Sequence, residues 1–226
     1  MSPVRLLVFD LDGTLVDSLA DIAGAANATL GRLAPGVTPL SREDVRAFVG
    51  EGARQLVERC LAARDLSHSA DEVLPLYLDT YRTGLLVETR LYPGVAEALD
   101  ALGGRTLAVL TNKPGDLSRA ILQGLGVAGR FARIWGGGDV PAKKPDPAGL
   151  LALAAALGAR PEETALVGDS AVDVRTGRAA AVMTVGVTYG FDPEGLSRER
   201  PDRLIDDLRH LGAVVDGVAR EPQETS

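Results

Sequence analysis

The chain has 226 residues, 46% hydrophobic and 24% charged, which fits one large domain or a core carrying an insertion. With 24 basic and 31 acidic residues its formal net charge is −7, which argues against nucleic acid as its main partner. The single cysteine, Cys60, excludes an internal disulfide and reads as a small buried hydrophobe. No apolar run reaches membrane-spanning length and the amino terminus has no signal-peptide layout, so the expected location is cytoplasmic.

The first element is an apolar run through Leu6, Leu7, Val8 and Phe9 that reads as a buried parallel strand and ends in Asp10-Leu11-Asp12-Gly13-Thr14. Side chains alternate along an extended chain, so Asp10 and Asp12 face the same way while Leu11 points back into packed structure. Two neighbouring carboxylates repel each other unless a divalent cation neutralises them or one holds a proton. The competing reading is an acid-rich turn in which each carboxylate caps backbone N–H groups. Gly13 permits a sharp turn, and Thr14 offers a hydroxyl and an N–H to an anion.

Beyond Thr14 the pattern turns helical. Leu19, Ile22, Ala23, Ala26, Leu30 and Leu33 fall on one face of a helix stopped by Pro35-Gly36. Ser41 to Asp44 and Ser69 to Glu72 have capping-box spacing and open two further helices, with another through Leu56, Val57, Cys60 and Leu61 after the Gly50-Glu51-Gly52 break. Residues 15–88 therefore read as a helical insertion with no strand signal.

From Tyr92-Pro93-Gly94 onward, helix and strand alternate, the signature of a parallel α/β sheet. Strands are expected at Thr106–Leu110, Ile134-Trp135, Thr164–Val167 and Val182–Val185. Helices are expected over Val95–Leu102, Leu117–Leu125, from Asp146-Pro147 to Gly158, and through Val172 and Ala179. Polar residues collect at the strand ends: Thr111-Asn112, Lys143-Lys144-Pro145, and Gly168-Asp169-Ser170 with Asp173. Ligand crevices of open parallel sheets lie at the carboxyl ends of the strands, so these groups are expected to converge with Asp10 and Asp12.

Asp10-Leu11-Asp12-Gly13-Thr14, Thr111, Lys144, and Gly168-Asp169-Ser170 with Asp173 stand in the order of the four motifs of haloacid-dehalogenase-superfamily phosphatases, which the chain resembles over essentially its whole length. The resemblance implies an α/β fold with a Rossmann-like parallel-sheet core from residues 1–14 and 89–220. It also implies that the insertion over 15–88 is an all-helical C1-type cap, and the polar residues 221–226 read as a loose tail. It implies Asp10 as nucleophile and Asp12 as general acid and base, with Thr111, Asn112 and Lys144 at the phosphate. Mg²⁺ is implied as cofactor, held by Asp10, the backbone carbonyl of Asp12 and Asp169, with Asp173 in support.

Departures narrow the reaction. Asp12 favours phosphoryl transfer over carbon–halogen hydrolysis, and the chain's only lysines, Lys113, Lys143 and Lys144, lie outside the cap, where phosphonate cleavage needs one. Ile22 stands where the hexose-phosphate mutases carry a cap histidine, and His68 and His210 read as solvated. The segments Val45 to Ala53, Thr111 to Pro114 and Gly137 to Asp139 resemble bacterial phosphoglycolate phosphatases. The specificity candidates are Gly50, Gly52, Ala53 and Arg54, where a helix start offers free N–H groups to a small carboxylate; a plain inter-helix turn with a solvated Arg54 is the competing reading. The expected partner is a small phosphorylated metabolite, with no membrane and a monomeric or homodimeric protein. Alternatives are a pyrophosphatase, a nucleotidase stacking its base on Phe48, Tyr77 or Tyr81, a broad sugar-phosphate phosphatase, and, remotely, a non-catalytic binding module.

Overall fold

The structure, a computed structural model, describes residues 3–217. The tail expected at 221–226 lies outside that range. Strand β1 (Leu6–Phe9) sits at the centre of a six-stranded parallel sheet, flanked by β4 (Thr106–Pro114) and β6 (Thr164–Gly168). The order is completed by β5 (Arg133–Gly137) outside β4, and by β7 (Met183–Val187) and β8 (Arg203–Ile205) outside β6. Alternation along the central strands divides the core into two faces. Leu7, Phe9, Val109 and Val167 pack on one side, and Leu6, Val8, Leu110 and Leu166 on the other.

Helices α5 (Val95–Ala101), α6 (Gly115–Gly124), α7 (Ala148–Ala156) and α8 (Ala171–Ala179) alternate with the strands. The chain closes through α9 (Pro193–Glu199), β8 and α10 (Leu211–Val215), elements whose sequences are too short or too polar to signal themselves. The helix expected to open at Pro147 begins at Ala148, whose N–H donates to Asp146 Oδ1 at 2.8 Å.

Between β1 and the return to the sheet lie four helices: α1 (Leu19–Leu33), α2 (Arg42–Phe48), α3 (Ala53–Ala62) and α4 (Ala70–Arg82). Both expected capping boxes form, Ser41 with Asp44 and Ser69 with Glu72. The four helices bury an apolar cluster of their own, including Ile22, Leu30, Val57, Cys60, Val73 and Tyr77, which Leu117 of α6 joins from the sheet side. Each fully buried aliphatic side chain contributes about 1.5–3 kcal/mol, so this layer carries its own cohesion. Cys60 is buried as expected, and burial pushes its thiol up to about 12.

One expectation fails here. Residues 15–88 are not free of strand: β2 (Val16–Asp17) pairs antiparallel with β3 (Arg90–Leu91) and ties the two chain crossings together. The Asp21 carboxylate reinforces this junction by accepting from the N–H groups of Glu88 and Thr89 and from the Thr89 hydroxyl at 2.7 Å. A two-residue strand has no periodicity to read. Two further ties join helices to sheet: Asn112 Nδ2 donates to the Gly50 carbonyl at 2.9 Å, and Arg46 Nε donates to the Phe191 carbonyl at 2.8 Å.

Candidate active site

Asp10 and Asp12 leave the end of β1 between an inner cavity of about 50 Å³, bounded by Thr111 and Tyr81, and a wider space of about 300 Å³ bounded by Arg46, Arg59 and Asp169, while Leu11 between them is fully buried, as alternation requires. At Gly13 φ is +84°, and a Cβ there would stand 2.2 Å from Asp169 Oδ2, so the turn and the approach of β6 both demand glycine. Thr14 donates its hydroxyl to an anionic group of the protein itself, Asp169 Oδ1, at 2.9 Å.

Lys144 is buried between two carboxylates, its Nζ 2.9 Å from Asp10 Oδ1 and 2.5 Å from Asp173 Oδ1. Burial alone lowers a lysine pKa; the charges of Asp10 and Asp173 reverse the sign and raise it, so the ammonium is permanent. Burial raises the Asp10 carboxyl to about 6, with Lys144 opposing the shift and Asp173 adding to it. Asp169 is also raised well above the ordinary range, by burial first and then by Asp173 and Asp10.

Carboxylate oxygens of Asp10, Asp169 and Asp173 lie within 4.8 Å of one another. Three buried acids face one ammonium, and Asp10 Oδ1 is buried without a well-directed hydrogen-bond donor although Lys144 is close. An all-oxygen donor set with uncompensated negative charge fits a hard divalent cation. The side chains of the expected metal set divide unevenly. Asp173 is held by Lys144 and by Ser170 Oγ at 2.6 Å, and the Asp12 carboxylate points to the cavity rather than into the triad.

Of the three residues expected at the phosphate, Thr111 is buried and lines the cavity beside Asp10. Lys144 stands against the Asp10 carboxylate. Asn112 does something else with its side chain. Its amide clamps the backbone of Lys144 at both polar groups, accepting from the N–H at 2.9 Å and donating to the carbonyl at 2.8 Å, and spends its remaining hydrogen on Gly50. Such a two-point clamp fixes where the Lys144 side chain starts.

The helical layer supplies the rest of the wall. Gly50, Gly52 and Ala53 line the cavity together with Ile22, Leu56 and Tyr81. Gly52, at φ +94°, precedes α3 with no side-chain cap, and the first α3 N–H bonded within the helix is that of Leu56. Arg54 is not brought to the site. It is half-exposed and paired with Asp71 at 2.8 Å and Glu58 at 3.1 Å on the outer face of α3. Helical periodicity sends residue 54 about 100° away from residue 53, and the first turn alone does not say which of the two faces the sheet.

Lys113, to which the sequence assigns no role at the site beyond its place in the Thr111–Pro114 segment, is inside the site. Its Nζ is 3.0 Å from Asp12 Oδ2 and donates to the Tyr81 hydroxyl at 2.8 Å. Ser18 Oγ donates to the other Asp12 oxygen at 2.6 Å. A signal existed: of 24 basic residues three are lysines, and all three sit in the two strand-end segments 111–114 and 143–145.

The chain matches the model of the haloacid dehalogenase-like hydrolases over residues 7–187. A phosphoglycolate phosphatase of Pseudomonas putida is 40% identical over 216 residues, covering 92% of this chain and 78% of that protein. One from Agrobacterium fabrum is 38% identical, covering 91% and 90%. A crystal structure of a predicted phosphoglycolate phosphatase from Haemophilus somnus 129PT superposes with a TM-score of 0.89 at 32% identity, covering 95% of this chain and 99% of that one. The chain belongs to the haloacid dehalogenase-like hydrolase family. Within that class it is a phosphatase enzyme, similar along nearly its whole length to proteins named phosphoglycolate phosphatase.

Proposed function

We propose that this protein is a Mg²⁺-dependent phosphomonoester hydrolase that works through an aspartyl-phosphate on Asp10, and that its substrate is 2-phosphoglycolate. The observation that carries the reading is the buried, under-bonded Asp10 carboxylate at the end of the central strand, beside a permanent ammonium and facing a small cavity. Asp10 attacks phosphorus in line, the bond from phosphorus to the ester oxygen breaks, and the departing oxygen takes a proton from Asp12. Asp12 then removes a proton from a water that attacks the acyl phosphate, releasing inorganic phosphate and restoring the Asp10 carboxylate.

Thr111 and Lys144 hold phosphoryl oxygens, and Lys144 offsets the charge that nucleophile and phosphate bring together. Mg²⁺, with ligands from Asp10, the Asp12 carbonyl and Asp169 and with Asp173 in support, would supply charge neutralisation for two anions forced into contact. Asn112 acts through the loop it clamps. Residues 15–88 act as a cap that excludes water from the leaving-group side, hinged on the β2–β3 pair.

Two features support a small acid as leaving group. The inner cavity, at about 50 Å³, has room for a few water-sized groups of about 10–15 Å³ each. The uncapped start of α3 presents N–H groups and the positive end of a helix dipole to that cavity. The test is phosphate release with Mg²⁺ across 2-phosphoglycolate, pyrophosphate, nucleoside monophosphates and sugar phosphates. A lead for 2-phosphoglycolate of about tenfold or more in kcat/KM is expected. A profile led by pyrophosphate or a nucleotide refutes the substrate, and no release from any ester refutes the enzyme reading.

A further inference from the structure

Lys113 is difficult to explain as a structural residue. Its side chain is 5% exposed, and placing an ammonium in such surroundings is costly even when it is paired. Two of its three hydrogens go to the two oxygens of one carboxylate, at 3.0 and 3.1 Å, and the third to Tyr81. Holding Asp12 does not require this charge, because Ser18 already orients that carboxylate through a neutral hydroxyl at 2.6 Å.

The surroundings show where else the charge can act. Lys113 lines the cavity with Asp12 and Tyr81, at the leaving-group end where Ile22, Leu56 and Leu117 give apolar walls. The Asp12 contact is doubled, so one N–H can turn to an incoming anion while the other keeps Asp12 in place. Tyr81 comes from α4 of the helical layer and Lys113 from β4 of the sheet, so the pair spans the two halves of the protein. Burial raises the Tyr81 phenol well above its ordinary range and keeps it a neutral partner.

Resting on the phosphoglycolate reading, we propose that Lys113 is the specificity-determining residue that recognises the carboxylate of the leaving group, with Tyr81 steadying its ammonium from the helical layer. An ester whose leaving group has no negative charge leaves that ammonium with Asp12 and the neutral Tyr81 hydroxyl. The enzyme therefore selects for an anionic two-carbon alcohol by a charge-assisted hydrogen bond rather than by size alone.

The test compares 2-phosphoglycolate with 2-hydroxyethyl phosphate, which replaces the carboxylate by an uncharged CH₂OH, in the wild-type enzyme and in Lys113→Met and Lys113→Gln. In both variants kcat/KM for 2-phosphoglycolate should fall by about 100-fold, largely through KM, and that for 2-hydroxyethyl phosphate by less than about tenfold. Lys113→Arg should restore part of the preference. Equal losses on both substrates would show that Lys113 only positions Asp12, and would overturn the assignment. A wild-type enzyme without preference for 2-phosphoglycolate overturns the substrate reading itself, whereas a preference that survives Lys113→Met overturns only the role of Lys113. Should both neutral variants fail to fold, the wild-type protein still decides. With three lysines in the chain, protein labelled with ¹⁵N at lysine Nζ should show the Lys113 ammonium signal moving on titration with glycolate and not with ethylene glycol. A signal unmoved by glycolate at concentrations that inhibit turnover, or glycolate that does not inhibit at all, also contradicts the proposal.

Discussion

The sheet end and the helical layer meet at the inner cavity but are built in opposite ways. At the sheet end almost every polar group is committed: Lys144 to Asp10 and Asp173, Asp169 to Thr14 and Phe191, Asn112 to the Lys144 backbone. Toward the inner cavity the helical layer turns mostly apolar side chains and uncapped backbone, and its ion pairs stand away from that space, Arg54 with Asp71 on the outer face and Arg59 with Glu51 at the wider space beside it. A pre-organised polar cluster suits a reaction whose transition state is the same for every ester, and a sparse, apolar wall suits discrimination between leaving groups. Chemistry and selection should therefore fail separately when each half is damaged.

The largest effect should come from Asp10→Asn, which removes the charge of the proposed nucleophile while keeping its shape. Turnover should drop by about 10⁴-fold or more, with an unchanged circular dichroism spectrum. Residual activity within about tenfold of wild type would break the division at its strongest point.

Next comes the cation. In metal-free protein the raised carboxyl of Asp10, at about 6 against 3.8 unperturbed, binds a proton more readily folded than unfolded. Its contribution to stability is thus fully present below about pH 4 and is lost as pH rises through about 6, and Asp169 shifts in the same direction. Thermal unfolding with Mg²⁺ and with EDTA should show a stabilisation by Mg²⁺ that grows as pH rises from about 4 to about 7. A pH-independent gain would place the ion elsewhere.

Smaller and confined to selection is Gly52→Val. At φ +94° a side chain is strained, and its Cβ would stand 3.0 Å from the Asn112 carbonyl oxygen and 2.9 Å from Lys143 Nζ. We expect kcat/KM for 2-phosphoglycolate to fall by about 10- to 100-fold, with Mg²⁺ stabilisation retained. Smallest of all is Arg54→Ala: an exposed ion pair is worth at most about 1 kcal/mol, so kcat/KM should stay within about threefold of wild type. A larger loss would bring Arg54 back to the site from which its contacts with Asp71 and Glu58 hold it away.

The same contrast explains what was legible in the sequence. Asp10, Asp12, Lys144 and Asp169 announce themselves because each follows a strong apolar strand or opens a helix, and the parallel topology then brings strand ends together. The helices of residues 15–88 were legible from capping boxes and 3.6-residue spacing, whereas the two-residue strands Val16–Asp17 and Arg90–Leu91 leave no pattern. The resemblance places Asn112 at the phosphate with Thr111, and its side-chain amide is spent on the Lys144 loop, a partner 32 residues away. Lys113 is one residue further along β4, and its meaning depends on Tyr81, again 32 residues distant and on a helix whose docking angle no local pattern encodes. Local signals report what a residue can do; contacts between distant elements decide what it does.

If Asp10 carries the phosphoryl group between ester and water, acid quenching of the enzyme during turnover of 2-phosphoglycolate with Mg²⁺, followed by peptide mass spectrometry, should find it there. Phosphate on the peptide containing Asp10, absent in Asp10→Asn, is the predicted result. Full turnover with no phosphorylated peptide at any quench time, or phosphate on another residue, would contradict it.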